Sequence, residues 1–227
     1  MNDLLDRPAQ QRSRRGVRVL IVRHGESLAN VADVVAGKDT CQGLTGRGRR
    51  QADAVAHHLA KEEAPIAAVY STPLARAMQT ARPIARALGL RVKTKLCAPI
   101  YGTAEGQPWM SVLTSHDHPI ALTPHQPIAP GAETWMAWVE RAGRNLDMIV
   151  QRHQAGETVV FVAHRESVWA VEQFLYRAPR SLAYVTAPVA NASITEWRQQ
   201  PLGDTYWRWE RLRHNDSRHL ILDDTRR

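Results

Sequence analysis

The chain has 227 residues, 44% hydrophobic and 23% charged, which suits one globular α/β domain with a sizeable core and excludes a disordered or low-complexity class. Its net charge of +8, from 30 Lys+Arg against 22 Asp+Glu, fits anionic small molecules as well as nucleic acid. The arginines are scattered, clustering only at Arg12–Arg18, Arg47–Arg50 and the last two residues, and no basic stretch carries interleaved aromatics, so nucleic acid is not an expected partner.

Residues 1–16 are charged and lack the apolar region of a secretory leader, and they read as a disordered arm. Val17–Val22 alternates weakly and then becomes a continuous apolar run, the pattern of a buried central strand. After a loop through Gly37–Gly43, LTGRGRRQADAVAHHLAKEE predicts a helix capped by Thr45, with Ala52, Val55, Ala56 and Leu59 on one face and His57 and His58 on its surface. IAAVYSTP is a second strand. LARAMQTARPIARALG is a second helix, expected to kink at Pro83 and to stop at Gly89. LRVKTKL alternates like an outer strand. Residues 100–130 are rich in Pro, Gly, Thr and His and read as an irregular lid over the domain. Within it SHDHP, Ser115–Pro119, has metal-ligating residue types but no third ligand at a persuasive spacing, so no metal or other cofactor is expected. Trp109, Trp135 and Trp138 flank the lid and offer either core packing or a pocket wall. GAETWMAWVERAGRNLDMIVQRHQAG is the longest helix, ETVVFVAH a fully apolar strand and ESVWAVEQFLY a helix. NASITEWRQ and TYWRWERLR form a closing hairpin of edge strands that could pair two copies into a homodimer.

The alternation predicts a three-layer α/β fold, a mostly parallel central sheet with helices on both faces and an irregular insertion over the active site. One domain is expected over residues 17–213, followed by a tail, 214–227. No apolar run approaches the roughly 20 residues of a bilayer span, so no membrane partner is expected. Cys41 and Cys97 have neither metal nor disulfide spacing, which points to a reducing cytoplasm.

The most apolar strands both end on histidine, VLIVRH at His24 and VVFVAH at His164. In a parallel sheet both imidazoles emerge at one edge, where ligands of such folds bind. The loop after VYSTP begins at that edge too and leads to Arg76. A neutral imidazole can attack phosphorus, and guanidinium forks match phosphate oxygens. One such histidine would be read as a satisfied core residue. Two, with Arg23 and Arg76 in matching places, point to phosphoryl transfer.

RHGES after an apolar strand, LTGRGRRQA at Leu44–Ala52, YSTPLARAMQTA at Tyr70–Ala81, PGAET at Pro130–Thr134 and VVFVAH at Val159–His164 together resemble the histidine phosphatase superfamily, the phosphoglycerate-mutase-like fold. The likeness runs from Val17 to about Trp197. It implies that His24 is the phosphorylated nucleophile and that Arg23, Arg76 and His164 bind the phosphoryl group, with His164 also stabilising transferred charge. It further implies that Asn30 touches a phosphate oxygen and that no metal is needed. The chain departs from the pattern twice. Where the family carries a proton donor this chain has APIYGTAEGQPW, with Gly102 at the acid's place. Glu105 is the best candidate acid, and Glu26 is the nearest other carboxylate. After His164 the chain reads HRES, so Arg165 offers a further phosphate contact or a solvated helix start.

The reading is a metal-independent phosphomonoesterase acting through a phosphohistidine on a small phosphorylated metabolite. Two alternatives stay open. A mutase would isomerise a phosphate ester without releasing phosphate. A catalytically weak regulatory protein, suggested by Gly102, would bind phosphate esters without turnover.

Overall fold

The computed structural model describes residues 16–61, 65–115, 123–178, 187–203 and 206–220. Its strands are β1 (Arg18–Arg23), β2 (Ile66–Ser71), β3 (Val92–Lys93), β4 (Thr158–Ala163), β5 (Ile194–Leu202) and β6 (Tyr206–Asp216). They form one six-stranded sheet in the order β3-β2-β4-β1-β5-β6. The first four strands in that order run parallel, while β5 is antiparallel to β1 and β6 antiparallel to β5. Among the described residues six α-helices accompany them: α1 (Leu28–Ala32), α2 (Gly46–Leu59), α3 (Ala75–Ala87), α4 (Trp109–Thr114), α5 (Trp135–Val150) and α6 (Arg165–Leu175).

The two apolar runs are continuous because both faces of their strands are covered. Val19, Ile21, Val159 and Phe161 pack with Leu146 and Ile149 of α5 and with Val168 of α6. Leu20, Val22, Val160 and Val162 point the other way, onto Val55 and Leu59 of α2 and Ala81 and Ile84 of α3. Alternate residues thus feed two cores, the sandwich expected of a mostly parallel sheet. Thr45 caps α2 by accepting from the Gly48 amide. α3 continues through Pro83 and ends near Gly89, whose φ of +66° is the left-handed conformation expected there.

Several elements differ from the sequence reading. The closing hairpin is not all edge, because β5 lies between β1 and β6 and only β6 borders solvent. The domain does not end at residue 213. β6 runs to Asp216, and a 3-10 turn at Arg218–Leu220 follows, with His219 stacked on His58 of α2 at 5.2 Å between ring centroids. At the other end Gly16 donates to the Gln199 carbonyl and so belongs to the sheet; the rest of the expected arm, residues 1–15, lies outside the described residues. The insertion has order of its own, a 3-10 turn at Gly102–Ala104 and then α4, gathered on a small core of Val35, Tyr101, Ala104 and Val112. Of the SHDHP stretch only Ser115 is among the described residues. Trp135 and Trp138 are core residues packed on Ala170, while Trp109 reaches the pocket described next.

Candidate active site

Parallel pairing of β1 with β4 sets Arg23 opposite Ala163, so the residues that follow, His24 and His164, leave the sheet side by side. The His24 amide donates to the Ala163 carbonyl at 2.9 Å, and the two rings sit 5.3 Å apart in an edge-to-face arrangement. β2 delivers Thr72 to the same edge, and the first turn of α3 delivers Arg76. Arg23, His24 and Arg76 line one end of a pocket closed by Tyr101 and Trp109 of the insertion and by Arg165 and Glu166 of α6, and His164 packs behind the His24 ring.

The tautomer of His24 follows from its partners. Nδ1 lies 2.7 Å from the Gly25 carbonyl oxygen, an acceptor only, so Nδ1 carries the proton. Nε2 therefore presents a lone pair, and Arg76 Nε donates to it at 3.0 Å. Burial, reinforced by the Arg76 and Arg23 guanidinium groups, pushes the His24 pKa well below its ordinary value. His164 is likewise pushed well down, by burial and then by Arg76 and His24. Its Nε2 pairs with Thr72 Oγ1 at 3.0 Å.

Three buried polar atoms of this group have no hydrogen-bond partner among the described residues: Arg23 Nε, Arg76 Nη1 and His164 Nδ1. Leaving such groups unmet is costly unless a ligand satisfies them. Arg23 is anchored by an Nη1 bond of 2.5 Å to the Val189 carbonyl, and burial lowers its pKa to about 10. Asn30 turns Oδ1 inward, where it accepts from the Ser27 amide at 3.1 Å and from Asn191 Nδ2 at 3.0 Å, so its amide nitrogen is the group left for a ligand. With three arginines against one carboxylate in its lining, the pocket suits an anion.

The candidate acid, Glu105, is not brought to this pocket. Its carboxylate accepts from the Lys38 and Asp39 amides at 3.2 and 3.1 Å and from Thr40 Oγ1 at 3.0 Å, tying down the loop after α1. Short-range spacing placed it near the acid's position; its bonding turns it the other way. Glu26 is also engaged elsewhere, accepting from Thr45 Oγ1 at 2.7 Å. Arg165 reaches the pocket, but its Nε and Nη2 both bond Glu166 Oε1, at 3.3 and 3.0 Å, and its guanidinium lies over the Trp169 ring. Thr72, Val189 and Asn191 support the site without having been singled out beforehand. Only Thr72 stood inside a recognised stretch, YSTP.

Among the described residues no cluster of three or more His, Cys, Asp or Glu side chains is arranged to hold a metal ion, and no helix is long and apolar enough to cross a membrane.

The paired imidazoles carry a stability signature. In the unfolded chain each titrates near 6.5, and in the folded one well below it, so the unfolded state binds more protons as pH falls. His219, lowered by burial, adds in the same sense. Stability is expected to be full above about pH 7 and to decline below about 6.5, by up to about 1.4 kcal/mol per pH unit for each such histidine. Urea midpoints between pH 7.5 and 5.5 read this directly; a flat midpoint across that range would show that the imidazoles accept protons in the fold.

The chain was compared with known proteins. The model of the histidine phosphatase superfamily (branch 1) matches residues 19–213. Phosphoglycerate mutase-like protein 4 of Arabidopsis thaliana is 31% identical over 189 residues, covering 79% of this chain and 78% of that protein. The metal-independent phosphoserine phosphatase of the same plant is 31% identical over 162 residues, 64% of this chain and 63% of its own length. The bifunctional protein Rv2228c of Mycobacterium tuberculosis is 30% identical over 185 residues, and the chain spans only half of it. Among solved structures, mycobacterial glucosyl-3-phosphoglycerate phosphatase complexed with VO3 superposes with a TM-score of 0.75 at 24% identity, covering 88% of this chain and 99% of that one.

Proposed function

Because the chain belongs to the histidine phosphatase superfamily, branch 1, we propose that it is a metal-independent phosphomonoesterase that works through a phosphohistidine on a small phosphorylated metabolite. One observation carries the reading. The lone pair of His24 Nε2 lies beside the unpartnered buried atoms Arg23 Nε, Arg76 Nη1 and His164 Nδ1, where β1 and β4 end. A phosphoryl group placed there meets the two guanidinium donors, meets His164 in the tautomer that carries its proton on Nδ1, and presents phosphorus to Nε2. The donors face the oxygens on which charge builds up during transfer, where fixed groups in a dry site act most strongly.

Arg76 Nε donates to Nε2. An incoming phosphate draws that guanidinium onto its oxygens and frees the lone pair. The depressed pKa of His24 keeps the ring neutral through the physiological range, so the nucleophile needs no deprotonation. Attack leaves a phosphoimidazole whose Nδ1 proton is held by the Gly25 carbonyl, and water then attacks phosphorus. The pocket is narrow and walled by Trp109 and Tyr101, which suits a small ester. The relatives named for phosphoserine and glucosyl-3-phosphoglycerate chemistry support that substrate range. Cys41 and Cys97, both free, support the cytoplasm as the working compartment.

The test is phosphate release from a panel of small phosphomonoesters with chelator present, together with alkaline detergent quenching of the reaction on 32P-labelled ester. The expected result is chelator-resistant release and an acid-labile, base-stable phosphoenzyme. Isomerised ester without free phosphate would point to a mutase, and binding without turnover to a regulatory protein; either would overturn the reading.

A further inference from the structure

The phosphatase reading leaves the leaving oxygen without a proton donor. The position where the resemblance expects one is closed. Gly102 sits at φ +55°, and a Cβ built there would lie 2.2 Å from the Pro130 carbonyl oxygen and 2.3 Å from the Ala132 nitrogen. No carboxylate can stand at that point on this backbone. Glu105 and Glu26 are bonded elsewhere, as described above.

We propose that Glu166 is the proton-transfer residue of this site, donating to the leaving oxygen in the first step and taking a proton from water in the second. The proposal rests on the phosphohistidine reading of the same pocket. Glu166 supplies the one carboxylate in the pocket lining among the described residues, and it shares that lining with His24, Arg23 and Arg76. It stands in the first turn of α6, two residues beyond His164. Trp138 of α5 fixes that turn by donating its indole N–H to the Glu166 carbonyl at 3.1 Å. The side chain is held as well. Both Arg165 bonds fall on Oε1, and Oε2 makes no side-chain bond among the described residues. Arg165 in turn rests on the Trp169 ring, 5.0 Å from its centroid. A carboxylate in the pocket lining that is braced by Arg165 and by its own backbone amide is held in place beside the reacting groups.

The charge balance also suits the role. Burial alone would raise the Glu166 pKa, but Arg165, the residue's own backbone amide and Arg23 hold it below the ordinary value. A bound phosphate dianion engages Arg23 and adds like charge beside Glu166, and both changes favour proton uptake. In the first step protonated Glu166 and a dianionic ester meet His24. The N–P bond forms, the P–O bond to the alcohol breaks, and the proton passes from Glu166 to the alcohol oxygen. In the second step water attacks phosphorus and the N–P bond breaks. One water proton returns to the Glu166 carboxylate and the other leaves on monohydrogen phosphate.

The test uses the full chain and two esters that differ in leaving group. Nitrophenolate departs without a proton, whereas glycerol does not. Glu166→Gln is expected to lower kcat on glycerol 2-phosphate by roughly 10²–10⁴-fold. On p-nitrophenyl phosphate the same variant should keep its nitrophenol burst within about threefold while steady-state turnover slows. Glu166→Asp, which keeps the carboxylate, should recover part of the loss on the glycerol ester, and Glu105→Gln should keep the wild-type ratio between the two esters. A nitrophenol burst slowed as much as turnover of the glycerol ester in Glu166→Gln, or no loss on either ester, would overturn the assignment, as would the selective loss appearing in Glu105→Gln. A wild-type protein that turns over neither ester and forms no phosphoenzyme would instead overturn the phosphatase reading beneath it.

Discussion

Replacing His24 by alanine is expected to abolish phosphate release, by roughly 10⁴-fold or more, while leaving phosphate-ester binding largely in place. Removing a covalent nucleophile costs most of the rate, because positioning and electrostatics alone recover only a remnant. Affinity is expected to survive because the proposed phosphate contacts are Arg23, Arg76 and His164, and of these only Arg76 bonds the His24 ring. Arg23 is anchored by Val189, and His164 by Thr72. Arg76 loses its bond to Nε2 but gains freedom to fork onto phosphate. Steady-state release paired with calorimetric titration of the ester separates the two effects. Turnover within tenfold of wild type would place the nucleophile elsewhere.

The second large effect is expected from a residue that touches no substrate. Gly48, in the first turn of α2, lies against the loop that follows His24. A Cβ at Gly48 would fall 1.9 Å from the Glu26 carbonyl oxygen, and one at Gly25 would fall 2.3 Å from the Gly48 carbonyl oxygen. These are backbone atoms and cannot rotate aside. Gly48→Ala must therefore push α2 and the loop apart, an overpacking expected to cost about 1–3 kcal/mol of stability. The rate suffers as well, since the Gly25 carbonyl holds Nδ1 of the nucleophile. A shift of about 1 Å in a reacting group can cost roughly 100-fold in kcat. Gly46→Ala provides the contrast, because a Cβ there finds its nearest neighbour 4.0 Å away, at Arg50 Nη1. It should leave the urea midpoint unchanged or slightly raised. A Gly48→Ala protein with wild-type midpoint and rate would show that the loop yields without moving His24.

The sheet and its catalytic edge were legible because they rest on strong local signals. Two unbroken apolar strands ending on histidine imply burial on both faces and a shared edge, and that pattern places His24 beside His164. Arg76 followed from its position one turn into a helix after β2. Other features were illegible for physical reasons. α1 is five residues long and rests on a capping box between Ser27 and Asn30, too short for any periodicity to show. α4 is nearly as short, and its stabilising contacts, with Val35 and Tyr101, come from other parts of the chain. The proton-transfer carboxylate could not be found by spacing. Glu105 is the nearest acid in sequence to the expected place, yet three donors from the 38–40 loop capture it, whereas Glu166 reaches the pocket through a distant strand and helix. The edge position of the hairpin was misjudged because a half-apolar strand reads alike whether one neighbour or two flank it.

The position of β1 between β4 and β5 also bears on how the molecule is made. Arg18 pairs with Thr158 on one side and with Arg198 on the other. The strand that leads to His24 leaves the ribosome well before either of its partners, which lie far later in the chain. Until then Leu20, Val22 and Ile21 have no sheet to join, and the Val189 carbonyl that steadies Arg23 does not exist. Closing such long loops is slow, and the waiting strand is exposed to wrong pairing meanwhile. Catalytic competence is thus a late event in biogenesis. Ribosome-bound nascent chains that lack the final hairpin would present the RHG sequence with no phosphate site around it.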